Sequence, residues 1–251
     1  MGSKQPNAAP VDETELAKFS AMADAWWDPE GSFRPLHKLN PVRVRYVRDV
    51  LCRANGRKPE DPAPLAGLDI VDVGCGGGLL CEPLARLGAR VTGIDPSARN
   101  VTIAEDHAAR MGLQIVYRTG TVEDLVAENR DFDAVVALEV VEHVPDLRAF
   151  VAACVAAARP DAKLFFATLN RTPQSFALGI VAAEYVLRWL PRGTHDWRRF
   201  VRPSELSRAL EAGGAKLGAL DGVGYDVLTD EWKLTRSLSV NYMAIAERIG
   251  A

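Results

Sequence analysis

Glu139, Glu142 and His143 stand at i, i+3 and i+4 in the run Leu-Glu-Val-Val-Glu-His-Val. If the chain turns helically there, all three side chains project from one face. Two carboxylates and an imidazole on one face form a donor set for a hard divalent cation such as Mg2+, with positions left open for a substrate. A catechol chelated there would lose a phenolic proton near neutral pH, as metal-bound water does. The resulting phenolate is a nucleophile. In a site without metal, His143 is the natural general base, a role worth about 10²–10⁴ in rate. The residues alone leave both readings open. Of the other histidines, His107 falls mid-helix and reads as a packing or surface residue. His37 and His195 fall in irregular regions, where either could line a substrate pocket.

A second constellation lies upstream, in Asp72-Val73-Gly74-Cys75-Gly76-Gly77-Gly78. Glycines here let the backbone turn sharply and approach a ligand. Asp95 follows 21 residues after Gly74, at the end of the next apolar run. A carboxylate there can accept both hydrogens of a ribose diol. That pairing suits a dinucleotide or S-adenosylmethionine. The dinucleotide fingerprint Gly-x-Gly-x-x-Gly, started at Gly74, places its third glycine at Leu79. Glycine is instead packed at 76, 77 and 78, which suits a cofactor without a pyrophosphate. Asp72 would meet the methionine amino group, and Glu123, beside Asp124, the adenine edge.

The elements that must hold these groups are legible from periodicity. Apolar runs at 68–73, 90–94, 113–117, 134–138 and 163–169 read as strands. Helical spacing separates them, with Ser97 and Asp146 as caps. Candidate strands at 216–220 and 240–247 close the chain after a helix opened by Pro203 and ended by Gly213-Gly214. Strand–helix alternation with short loops implies an α/β, doubly wound, mostly parallel seven-stranded sheet. Ligands bind such sheets outside the carboxyl ends of the strands, where every motif above falls. The whole reads as a single domain. Residues 1–66 form a helical cap and linker, 67–170 the cofactor-binding core, 171–202 an insertion after strand five, and 203–251 a closing helix and strands.

Composition excludes several classes. A chain of 251 residues, 48% hydrophobic and 25% charged, has the apolar content to fold. Its net charge of −3 disfavours a general nucleic-acid binder. The longest apolar run, 149–158, is too short for a membrane span. Cys52, Cys75, Cys81 and Cys154 form no C-x-x-C pair, which argues against a zinc ribbon. With no apolar signal region in the first 30 residues, the expectation is a cytoplasmic protein with free thiols.

The insertion carries a nearly all-round apolar stretch at 173–190, then Arg192, Arg198, Arg199 and Arg202 interleaved with Trp197 and Phe200. One reading is a buried helix followed by a solvated basic loop. The other is an interfacial element with arginines on anionic lipid. Its place after strand five covers the substrate mouth, so an apolar lid implies an apolar substrate.

The glycine loop, Gly93-Ile94-Asp95 and Glu142-His143 resemble the class I S-adenosylmethionine-dependent methyltransferases over about residues 68–170. Longer stretches are more specific. Residues 19–37, containing Trp26-Trp27-Asp28-Pro29, together with 39–43, 142–146, 167–172 and 190–197, resemble the ubiquinone-biosynthesis O-methyltransferase family. That resemblance implies O-methylation of polyprenyl catechols, namely 2-polyprenyl-6-hydroxyphenol and 3-demethylubiquinol. It implies cofactor contacts at Arg43, Gly74, Asp95 and Leu138, with Arg43 on the methionine carboxylate. It implies a divalent metal at Glu139, Glu142 and His143. Expected partners are the polyprenyl phenol or quinol, anionic lipid at the inner face of the membrane, and other enzymes of ubiquinone synthesis. One departure is Pro160-Asp161-Ala162, where the superfamily has Pro-Gly-Gly. Alternatives are methylation of another phenol or of a quinone ring carbon, a non-enzymatic scaffold binding S-adenosylmethionine, and an NAD-dependent oxidoreductase, which Leu79 disfavours.

Overall fold

The computed structural model describes residues 11–178, 196–226 and 229–249. Two helices precede the sheet, α1 (Glu13–Ala21) and α2 (Arg34–Ala54). The core alternates β1 (Asp69–Val73), α3 (Cys81–Arg86), β2 (Arg90–Asp95), α4 (Ala98–Arg110), β3 (Val116–Thr119), α5 (Val122–Ala127), β4 (Phe132–Leu138), α6 (Leu147–Ala156) and β5 (Ala158–Leu169). A short α7 (Pro173–Ser175) and α8 (Pro203–Ala212) follow. β6 (Ala215–Asp226), β7 (Glu231–Thr235) and β8 (Asn241–Arg248) then complete the sheet. Strand order is β3-β2-β1-β4-β5-β8-β6-β7. β1 to β5 pair in parallel, and β8, β6 and β7 join antiparallel.

Both faces of the central strands are buried, which is why those strands read as continuous apolar runs. Val135 and Ala137 of β4 face a core completed by α5, α6 and α8, through Leu125, Val151 and Leu206. Ala134 and Val136 face the opposite core, completed by α2, α3 and α4 through Val47, Leu84 and Ala104. Ser97 accepts the Asn100 N–H, and Asp146 accepts those of Arg148 and Ala149, so both expected caps are in place.

The sheet has eight strands rather than seven. The additional one, β7, exposes Glu231, Lys233 and Leu234 and half-buries Trp232 and Thr235, so it carries no apolar signal. The third strand lies at Val116–Thr119, later than the apolar run at 113–117 suggested. Asp161 sits at φ 63, the left-handed region where glycine is at ease, so the departure noted at 160–162 places a residue with a Cβ in a strained backbone position.

The N-terminal segment is helical, as expected, but its two helices are held differently. α2 buries Leu39, Val42, Tyr46, Val47 and Leu51. α1 buries no residue. Polar contacts hold it: Arg199 donates to Asp12 at 2.6 Å, and the hydroxyls of Ser20 and Ser97 lie 2.7 Å apart. Among the described residues no helix is long and apolar enough to cross a membrane. The four cysteines are free and buried.

Candidate active site at the carboxyl ends of the strands

Strand order reverses between β1 and β4, and both constellations open at that point. Gly74 leaves β1 at φ 72, and its N–H donates to the Ile94 carbonyl at 2.8 Å. The Gly76 N–H donates to Asp95 Oδ2 at 2.9 Å. Asp95 is buried and also accepts from the Ser97 N–H and the Asn100 side chain. Burial pushes its carboxyl above the usual range, against those donors. Trp26 lies directly on this loop, so a methyl group added at Gly76 or Gly77 would overlap its ring. Its indole N–H donates to Asn100 at 3.0 Å, and its ring stacks on Phe33 at 3.8 Å. Trp26 thus packs as part of the cap, and the glycines at 76 and 77 admit it.

Asp72 is buried at the end of β1, with the Cys81 thiol donating to it at 3.2 Å. Burial, and then the neighbouring Asp95 charge, push its carboxyl up to about 7, while the Cys81 contact and Arg43 oppose the rise. Arg43 of α2 is 8% exposed and donates from Nη2 to Glu139 at 2.6 Å. Its Nε is buried and unpartnered. A buried guanidinium with an unused N–H is a receptor for a further carboxylate. Leu138, the last residue of β4, packs half-buried beside this group's core. Glu123 is half-buried on α5, and Asp124 is spent capping that helix, accepting the Thr121 N–H at 2.8 Å. Glu123's charge is felt at Cys154 of α6.

The acidic segment is a turn, not a helix. Glu139 adopts φ 58, and the His143 N–H donates to the Val140 carbonyl at 2.8 Å. The three side chains therefore do not share one helical face. Glu139 goes to Arg43, His143 Nδ1 lies 2.7 Å from Glu15 Oε2, and Thr168 donates to Glu142 Oε2 at 3.0 Å. The other Glu142 oxygen, Oε1, is buried and unpartnered. Among the described residues no three His, Cys, Asp or Glu side chains are placed to hold a metal ion. A cation held by Glu139, Glu142 and His143 would have to take Glu139 from Arg43 and His143 from Glu15.

Burial and the adjacent Glu139 charge raise the Glu142 carboxyl, favouring its protonated form. Burial works against a charged His143, but Glu15 and Glu142 outweigh it, and the ring's pKa lies above its usual 6.5. His107 stacks on Trp27 at 3.5 Å and pairs with the buried Glu82, the packing role expected of it. His37 lies 2.9 Å from the Trp26 carbonyl and braces the cap instead of lining a pocket. His195 falls outside the described residues. Sequence reasoning missed Glu15 and Thr168. Glu15 is 128 positions from His143 and carries no local signal of that contact.

The family described as methyltransferase domain matches residues 71–166. The fold is similar to magnesium protoporphyrin IX methyltransferase from Synechocystis with bound S-adenosylhomocysteine, at TM-score 0.62 and 20% identity, covering 92% of this chain and 94% of that one. An S-adenosylmethionine-dependent methyltransferase from Clostridium acetobutylicum aligns at TM-score 0.59 and 13% identity, covering 93% and 99%. Sheet order, glycine loop and Asp95 thus define a class I S-adenosylmethionine-dependent methyltransferase.

Two curated relatives narrow this class. The ubiquinone biosynthesis O-methyltransferase of a Methylobacterium species is 54% identical over 98% of this chain and 99% of that protein. Its counterpart in Sinorhizobium fredii is 50% identical over 95% and 96%. The chain belongs to the ubiquinone biosynthesis O-methyltransferase family.

Proposed function

We propose that this protein methylates a phenolic oxygen of polyprenyl catechols, 2-polyprenyl-6-hydroxyphenol and 3-demethylubiquinol, the latter giving ubiquinol. The observation that carries this reading is the pairing at β4's end of a carboxylate-backed imidazole with a buried, unpartnered carboxyl oxygen. His143 is the base that takes the phenolic proton at Nε2. Glu142 Oε1 meets the second catechol oxygen, and its raised pKa lets it donate there near neutral pH.

S-adenosylmethionine supplies an electrophilic methyl on a sulfonium. The residues present fit it. Arg43, with its unused Nε, receives the methionine carboxylate, and Asp72 receives the amino group. Asp95 receives the ribose diol, Gly74 and Gly76 give the loop its left-handed turn, Leu138 packs beside the adenosine, and Glu123 is assigned the adenine edge. Holding both reactants in a near-attack pose supplies about 7–11 kcal/mol of the barrier. In a site without metal the proton goes to His143; Glu139, Glu142 and His143 would hold a divalent cation, which when bound would acidify the catechol.

A polyprenyl substrate resides in lipid, and the segment 173–202 is the surface assigned to meet it. Phe176 and Leu178 are 48% and 56% exposed there, near the basic Arg198 and Arg199. Peripheral contact with anionic lipid at the inner face of the membrane, and with other enzymes of the pathway, belongs to the same reading.

The test is a product assay with methyl-labelled S-adenosylmethionine and a short-chain prenyl catechol, with and without chelator. An O-methyl product that persists with chelator is expected. Methyl on a ring carbon, or no product despite tight cofactor binding, would overturn the assignment. Turnover lost to chelator and restored by Mg2+ would assign the acidification of the catechol to a cation that Glu139, Glu142 and His143 would hold, in place of His143 as base.

A further inference from the structure

We propose that Glu15 of the N-terminal helix is the positioning residue for the His143 imidazole, so that the base is complete only when α1 is docked. The inference rests on the reading of His143 as base and deepens it. Glu15 Oε2 lies 2.7 Å from His143 Nδ1, and both side chains are largely shielded, 20% and 16% exposed. An ionised carboxylate can only accept, so the proton of the neutral ring is held on Nδ1 and the lone pair on Nε2. Nε2 makes no hydrogen bond among the described residues. Phe19, one turn along α1 from Glu15, meets the ring edge-on, with centroids 5.0 Å apart at 85°. Two side chains of one helix therefore fix the ring's tautomer and its plane. The remaining charged neighbours of the ring are Glu142 and Lys18.

The helix that does this buries none of its residues. Its anchors lie at separate strand ends: Asp12 on Arg199 after β5, Glu15 on His143 after β4, and Ser20 on Ser97 after β2. A strap held by exchangeable polar contacts opens at low cost, and opening it frees the imidazole to rotate and change tautomer.

The test is a double-mutant cycle on the full chain. Glu15→Gln is expected to lower single-turnover kcat about 10- to 100-fold, with cofactor Kd and catechol KM unchanged. In a His143→Ala background the same change should cost nothing further, since Glu15 acts only through that ring. Asp12→Ala, which removes one anchor of α1 and leaves Glu15 and His143 in place, should lower kcat by less than Glu15→Gln, in proportion to the fraction of molecules with α1 undocked. Independently of turnover, 15N spectra of the imidazole should show Nδ1 protonated in the native protein and a tautomer mixture in Glu15→Gln. Full kcat in Glu15→Gln with a slow His143→Ala would overturn the positioning role and leave the base standing. Full kcat in His143→Ala would overturn the base itself. Additive losses in the double variant would reduce Glu15 to an anchor for α1.

Discussion

Asp72 holds its charge at a site that penalises it. Its carboxyl is pushed up to about 7 by burial, from 3.8, and the Cys81 thiol is a weak donor to it. A folded-state pKa above the unfolded value stabilises the fold below the unfolded value, and that contribution is lost as pH rises through the folded one. Asp72→Asn should therefore raise Tm at pH 8 and leave it nearly unchanged at pH 4, with a gain of roughly 1–3 kcal/mol at the upper pH. Cofactor affinity should fall in the same variant, because the amide cannot pair with an ammonium. Thermal melts at the two pH values and cofactor titration check this, and equal melting shifts at both pH values would refute the burial account. His143 has the opposite logic for function. Its neutral form is the base and its pKa is raised, so kcat/KM should fall as pH drops through a value above 6.5. Glu15→Gln removes a hydrogen bond and a charge that raise it, so the acid limb should move to lower pH as the plateau drops. A limb that stays in place would assign it to another group.

Elements were legible where both of their faces are buried, and less so elsewhere. β1, β2, β4 and β5 carry continuous apolar runs because two cores sandwich them, and the reading located all four. β7 pairs only along β6 at the sheet edge and exposes most of its side chains, so no apolar alternation marks it. The acidic turn followed a different rule. The spacing of Glu139, Glu142 and His143 suggested a shared helical face, but Glu139 in the left-handed region breaks the helix before it starts. The residues proposed to carry the chemistry are named by the sequence, and their pairings are not, because Arg43, Glu15 and Thr168 reach the turn from distant elements. Asp161 gives an element-scale test. It is exposed at the amino end of β5, far from the carboxyl ends of the strands, and its φ of 63 disfavours any residue with a Cβ. Asp161→Gly should stabilise the fold by up to about 1 kcal/mol, the scale of the left-handed penalty, with turnover unchanged. Chemical denaturation reads the first and the product assay the second. A destabilised variant would mean that the aspartate side chain contributes more than its backbone strain costs.

At the scale of the molecule, charge argues against membrane binding unless it is local. A net charge of −3 repels an anionic surface, so any attraction must come from a patch whose arginines sit within about a Debye length of lipid. The proposed function places that patch on the segment 173–202, in which Arg199 pairs with Asp12 at the start of the helix that carries Glu15. Arg188 and Arg192 lie outside the described residues, while Arg198 and Arg199 follow Trp197, whose indole N–H donates to the Thr172 carbonyl at 2.9 Å and ties the segment to the end of β5. Each arginine near an anionic surface contributes about 1 kcal/mol, so replacing all four by serine should weaken partitioning by up to roughly a thousandfold. The Arg199–Asp12 pair already satisfies one of the charges, so a loss nearer tenfold to a hundredfold is the realistic expectation. Sedimentation with vesicles rich in phosphatidylglycerol, compared with neutral vesicles and repeated at high salt, reads this directly. Cofactor binding should be unaffected, while turnover of a long-chain substrate presented in vesicles should fall and turnover of a short-chain one in solution should not. Sedimentation that is unchanged in the variant would leave the basic segment as a lid over the site, with the substrate reaching it from solution.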